Sequence, residues 1–201
     1  MIDHFFTIST NGTSLYKEKG SKFLGFSYPV QSVQHVNEKL EELRKKYHDA
    51  RHHCYAYILG AESKDFRAND DGEPNHSAGD PILGQIRSLN LTNTLVVVVR
   101  YFGGIKLGVS GLIQAYKIAA EEALKNSAVI KEHITVPLHI SYGYSTTNEV
   151  MKLIDQFNLH IINQEFTERC SLKASIIISK QKQVLKELEL LIDTGHDIQI
   201  L

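Results

Sequence analysis

The segment richest in groups that could do chemistry runs from Arg100 to Gly111, Arg-Tyr-Phe-Gly-Gly-Ile-Lys-Leu-Gly-Val-Ser-Gly. Its glycines let the backbone turn sharply and approach a partner closely. A helix is expected to begin near Ser110, so free N–H groups and the positive end of its dipole would face the loop. Arg100 and Lys106 add formal charge. Arg100, Gly103, Gly104, Lys106, Gly108 and Ser110 are therefore candidates for holding an anion or a nucleic-acid phosphate. The competing reading is a tight strand-to-helix turn whose glycines serve packing alone. The segment contains no Gly-Lys-Ser/Thr triplet and no G-x-G-x-x-G, so neither a Walker loop nor a Rossmann dinucleotide site is read here.

Three other segments carry candidates. Asn69 to Pro81 clusters Asp70, Asp71 and Glu73. Clustered oxygens suit a hard cation, but the spacing is not that of an EF-hand loop. Carboxylates that cap backbone N–H groups, or pair with Arg51, Arg67 or Arg100, explain the cluster without a ligand. Arg51-His-His-Cys-Tyr-Ala-Tyr57 places His52 and Cys54 on one strand face and His53 on the other. With His76 they fall short of a zinc set, which needs about four ligands. A Cys54–His nucleophilic pair would be spatial and invisible in sequence, and Cys54 reads more simply as a small buried hydrophobe. Finally, Lys17 to Phe26 alternates cations with aromatics. Lys19 and Lys22 could track a nucleic-acid backbone, or lysines could simply blunt a hairpin edge.

The elements that must position these groups follow from periodicity. Residues 4–30 read as extended, with Phe5 to Ile8, Ser14 to Glu18 and Phe23 to Val30 as strands and Asn11-Gly12 as a turn. Val36, Leu40, Leu43 and Tyr47 recur at helical spacing across 33–47. His52 to Leu59 alternates as a strand. The Asn69–Asn75 stretch is a loop, and Ile82 to Leu89 a short helix with Pro81 in its first turn. Thr94 to Tyr101 is continuously apolar, as in a strand buried on both faces. Leu112 to Lys125 is an Ala-rich helix. After about residue 131 the order β-α-β-β-α-β begins, over 134–142, 148–157, 159–166, 170–178, 181–192 and 198–201. This is the ferredoxin-like split βαβ pattern. The expected fold class is α+β with two domains, 1–131 and 132–201.

Composition narrows the partners. Of 201 residues, 42% are hydrophobic and 22% charged, which suits a packed core. Net charge is -1, so any nucleic-acid contact must come from a local patch. Residues 1–131 hold 16 Lys+Arg against 14 Asp+Glu, and residues 132–201 hold 6 against 9, which favours the first domain for anions. Two cysteines exclude a disulfide scaffold and suit a reducing compartment. No signal peptide is visible, and the run Leu95–Val99 is too short to cross a membrane, so a cytoplasmic location is expected.

Five stretches in one order carry a resemblance. They are Lys19-Gly-Ser-Lys-Phe-Leu24, Ala50-Arg-His-His-Cys-Tyr-Ala-Tyr57, Asp70-Asp-Gly-Glu-Pro74, Ala78-Gly-Asp-Pro-Ile-Leu83 and Val99-Arg-Tyr-Phe-Gly-Gly-Ile-Lys-Leu-Gly108 with Gly111-Leu112. On these the chain is identified as resembling the IMPACT/YigZ family, with mild departures at His53, Asn69 and Ser77. The resemblance implies a first domain similar to the second domain of a small-subunit ribosomal protein and to domain IV of elongation factor G. That fold includes a left-handed βαβ crossover, against the usual right-handed rule. It implies a ferredoxin-like second domain, as in bacterial members. It also implies a link to translational control, with the acidic and glycine loops meeting in space. The family names no agreed catalytic residues. No catalytic constellation, cofactor motif or metal set is complete here. The expectation is thus a non-enzymatic protein associated with RNA or the ribosome. The alternatives are a protein-interaction adaptor, or an enzyme for a phosphorylated small molecule using Glu73, Asp71 or His76 as acid or base.

Overall fold

A computed structural model describes residues 2–201. The chain divides into a larger unit, Phe5–Glu132, and a smaller one, His133–Leu201 with the short N-terminal stretch ending at His4.

The larger unit is built on a five-stranded antiparallel sheet of order β2-β3-β6-β4-β5, formed by β2 (Gly12–Glu18), β3 (Ser21–Pro29), β4 (His52–Leu59), β5 (Asp65–Asn69) and β6 (Thr94–Tyr101). Strand β6 lies at its centre, and the Leu95–Val99 run is buried on both faces because helices cover both. On one face Val96 and Val98 pack with Cys54 and Ala56 under α2 (Gly79–Ser88) and α3 (Gly108–Lys125). On the other, Leu95, Val97 and Val99 meet Val36, Leu40 and Leu43 of α1 (Val33–Lys46). Helix α1 is capped by the Ser32 hydroxyl, which accepts from the His35 N–H at 3.2 Å. It ends in Arg44, Lys45 and Lys46, the charge its C-terminal dipole favours. It also joins β3 to β4, which run parallel to one another with β6 between them.

The alanines of α3 explain how it sits. Ala115, Ala119, Ala120 and Ala123 are buried, so the helix backbone can lie close to the sheet. Ser14 Oγ donates to the Ala119 carbonyl at 2.7 Å and Ser27 Oγ to the Ala123 carbonyl at 3.0 Å. On the outer part of the opposite face Leu15 of β2 remains exposed. Strand β1 (His4–Ile8) pairs with β7 (Val129–His133) in a separate ribbon.

The smaller unit holds β8 (Thr135–Tyr142), α4 (Thr147–Phe157), β9 (His160–Phe166), β10 (Cys170–Ile177), α5 (Gln181–Asp193) and β11 (Ile198–Ile200). Its antiparallel sheet has the order β11-β8-β10-β9, the ferredoxin-like arrangement. Leu138, Ile140, Leu172 and Ala174 line one face, under Val150, Leu153, Val184 and Leu188. The molecule is thus α+β with two compact units. No helix among the described residues is long and apolar enough to cross a membrane.

Several details depart from expectation. Strands β5 and β7 were not anticipated, since both are short and largely exposed, without a buried stripe. Helix α3 begins at Gly108, two residues before Ser110.

Candidate functional site

Strand parity divides the candidate residues between the two faces of the larger sheet. On the α2/α3 face, β6 presents Arg100 opposite Phe23 of β3 and His52 of β4. Arg100 Nη1 donates to Glu73 Oε1 at 2.5 Å, and the two residues are only 6% and 8% exposed. The acidic and glycine segments therefore meet through this pair. The Tyr116 hydroxyl of α3 donates to the same Glu73 oxygen at 2.8 Å. Cys54 Sγ donates to the Tyr116 oxygen at 3.3 Å and to the Asp70 carbonyl at 3.0 Å. His52 Nε2 stands 4.0 Å from Glu73 Oε1. The Arg100 guanidinium lies over the rings of Phe23 and Phe102, and its Nε has no hydrogen-bond partner among the described residues. Burial pushes the Cys54 thiol well above its ordinary range, and burial likewise raises the Tyr116 phenol. Neither can supply an anionic nucleophile at neutral pH.

The three loop carboxylates diverge rather than converge. Asp70 accepts the backbone N–H groups of His76, Ala78 and Gly79 at 2.8, 2.9 and 2.8 Å, and so caps the start of α2 from a distance. Asp71 accepts the His53 N–H at 2.7 Å and lies 3.6 Å from Arg44. Glu73 alone faces Arg100. Among the described residues no group of three or more His, Cys, Asp or Glu is arranged to hold a metal.

In the glycine segment the residues serve different ends. Gly103 touches the β2–β3 turn so closely that an added Cβ would stand 1.9 Å from the Gly20 carbonyl carbon, and its N–H donates to Ser21 Oγ at 3.1 Å. Gly104 and Gly108 have φ of 87° and 72°, which L side chains rarely adopt. Both sit in open space. Helix α3 starts without a side-chain cap. Gly108 and Val109 of its first turn line, with Lys106, Arg100 and Glu73, a cavity of about 370 Å³, while Ser110 is exposed outside that lining.

The opposite face carries the other cations. Lys17 of β2 and Lys22 of β3 are directly opposite in the hairpin, and Lys22 is opposite Tyr101 of β6. Both lysines are exposed, and Lys19 stands in the connecting turn with φ 45°. Leu15, Lys17, Lys22, Tyr47, Tyr101 and Phe102 line an open trough of about 510 Å³. A second hollow of about 720 Å³ shares Leu15, Leu24 and Tyr47 with it and adds Lys46 and Lys125. The Tyr101 hydroxyl donates to Asp49 at 2.7 Å. Phe102, 54% exposed, borders both this trough and the cavity on the other face. Lys22 and Arg100 therefore do not form one cradle.

Sequence reasoning did not single out Tyr116, Tyr47 or Tyr101. Tyr116 had a readable signal, a polar tip in an otherwise Ala-rich buried stripe, since a buried tyrosine needs a hydrogen-bond partner.

Comparison with known proteins places this geometry. Residues 19–124 match the Impact N-terminal domain family. IMPACT family member YvyE of Bacillus subtilis (strain 168) is 34% identical over 150 residues, covering 75% of this chain and 69% of that protein. IMPACT family member YigZ of Escherichia coli (strain K12) is 30% identical over 164 residues, covering 81% and 80%. A crystal structure of a hypothetical protein superposes with a TM-score of 0.74 at 27% identity, covering 100% of this chain and 98% of that one. The family match takes in Lys19, Lys22, the Glu73–Arg100 pair and Tyr116 but begins after Lys17, and the chain belongs to the IMPACT family.

Proposed function

We propose that this chain is a translation-linked, cytoplasmic binding protein that holds single-stranded RNA, on or off the ribosome, across the open face of its larger sheet. Membership of the IMPACT family supports the link to translational control. One observation carries the RNA reading: Lys17 and Lys22 face each other directly across the hairpin with no ion-pair partner among the described residues. Like charges directly opposite destabilise an antiparallel pair, so a bound anion would relieve the repulsion. The surroundings suit a nucleic-acid strand. Tyr47, Tyr101 and Phe102 offer rings for stacking, and Lys46 adds a further cation beside them. Open sheet faces bearing aromatics are a recurring platform for single-stranded RNA.

The test is a titration of labelled single-stranded RNA at two salt concentrations, with the Lys17→Gln/Lys22→Gln variant alongside. Loss of two phosphate contacts would weaken binding and reduce the log–log salt slope by about 1.4. Equal affinity and equal slope in both proteins would refute the assignment. A second reading, a protein-interaction adaptor, is favoured by the exposed apolar side chains Phe102, Ile105, Val109 and Ile113. Ribosome binding that persists at high salt would select it.

A further inference from the structure

The cavity on the α2/α3 face shares only Phe102 with the RNA trough and has a different chemistry. Its walls are largely apolar, with Pro74, Phe102, Leu107 and Leu112. Its volume, about 370 Å³, is within the range that takes a small organic ligand. Its charged groups are Arg100, Glu73 and Lys106. Glu73 is paired with Arg100, so the uncompensated positive charge comes from two sources. One is Lys106, which has no ion-pair partner among the described residues. The other is the uncapped start of α3, an 18-residue helix whose dipole places roughly half a positive charge at that end. Arg100 in the wall is incompletely satisfied. It is 94% buried, it forms part of the cavity wall, and its Nε finds no acceptor. Buried polar atoms are rarely left so.

We propose that this cavity binds a small phosphate monoester with an apolar or aromatic body. The phosphate meets Lys106 and the first-turn N–H groups of α3, which together offer several donors to a tetrahedral oxyanion. The organic part lies against Phe102, Leu107 and Leu112. The charge balance selects the class. One lysine and one helix end match a single phosphoryl group rather than the several charges of a polyphosphate. The apolar walls select against a bare hydrated ion. This inference goes beyond the RNA reading. It uses the opposite face of the sheet and none of the lysines of the trough, so either can fail alone.

The experiment follows backbone amide NMR of the full chain during titration with phenyl phosphate, inorganic phosphate and benzoate at constant ionic strength. Phenyl phosphate should give saturable shifts at Lys106, Gly108, Val109 and Ser110, and should bind more tightly than either of the other two. Lys106→Ala should weaken it by about tenfold, as for loss of a charged hydrogen bond. Val109→Glu should abolish it while leaving the fold intact, because an acidic residue in the first turn suits the helix dipole. The proposal is overturned if phenyl phosphate gives no saturable shift, or if inorganic phosphate or benzoate binds equally well. It is also overturned if the shifts centre on Lys17 and Lys22, or if Val109→Glu binds as the parent does.

Discussion

Arg100 and Glu73 are joined by a 2.5 Å hydrogen-bonded ion pair inside the larger unit, although 27 residues separate them in sequence. The pair ties the acidic turn to the central strand of the sheet. Replacing Arg100 by Met would leave a carboxylate buried without its counter-charge, at a cost of about 3–5 kcal/mol. The double variant Arg100→Met/Glu73→Gln removes both charges and keeps an acceptor for the Tyr116 hydroxyl. It should recover most of the loss, because a buried ion pair often contributes little over a neutral replacement. Urea unfolding of the three proteins checks this. A single variant as stable as the parent would show that the pair is not an isolated buried charge couple.

Cys54 and Cys170 are both free and buried. Burial raises the Cys54 thiol, which keeps its proton and donates toward the Tyr116 hydroxyl oxygen and the Asp70 carbonyl. A neutral, inaccessible thiol is a poor nucleophile. Native protein near neutral pH should therefore react with an aromatic disulfide only on the timescale of opening, and both thiols should react at once in denaturant. Rapid native labelling at Cys54 would favour a Cys54–His nucleophilic pair.

Much of this architecture was legible in the sequence because period and burial coincide. The run Leu95–Val99 announced a strand covered on both sides, and Val36, Leu40 and Leu43 gave the stripe of α1. Strand β5 was not legible. Asp65–Asn69 is polar, and its extended shape comes from backbone pairing with Tyr55–Leu59 rather than from a buried stripe. The site was half legible. Glycines, lysines and carboxylates could be named, but which share a face depends on register. Lys22 opposite Tyr101 and Phe23 opposite Arg100 fix that Lys22 and Arg100 point apart. No spacing rule yields the Glu73–Arg100–Tyr116 junction, because it joins three separate elements.

Tyr101 reports on the proposed RNA trough. Its phenol is pushed up to about 12, first by its hydrogen bond to Asp49 and then by burial. An acid whose folded pKa is raised favours the protonated fold. That contribution is complete below the ordinary value near 10 and is lost as pH rises from 10 to about 12. In Asp49→Asn, phenol ionisation followed by ultraviolet absorbance should shift downward toward the ordinary value. The same variant removes a carboxylate beside the trough and should tighten RNA binding at low salt. An unchanged titration would mean that Asp49 does not hold the hydroxyl.

Gly103 separates packing from ligand binding in the glycine segment. A methyl group there would collide with the Gly20–Ser21 backbone, with the nearest atom at 1.9 Å. Side-chain movement cannot relieve a clash with main chain, so the β2–β3 turn or the loop must shift. Gly103→Ala should lower stability by about 1–3 kcal/mol, the usual range for forced overpacking. Lys106→Ala, in an exposed side chain of the same loop, should change stability by no more than about 0.5 kcal/mol. Because Gly103 anchors the turn that carries Lys19, its substitution should also weaken RNA binding without touching a cation. Thermal unfolding and the RNA titration, run on both variants, separate the two roles. If Gly103→Ala is as stable as Lys106→Ala, the close approach of Gly103 to the hairpin is not a packing constraint.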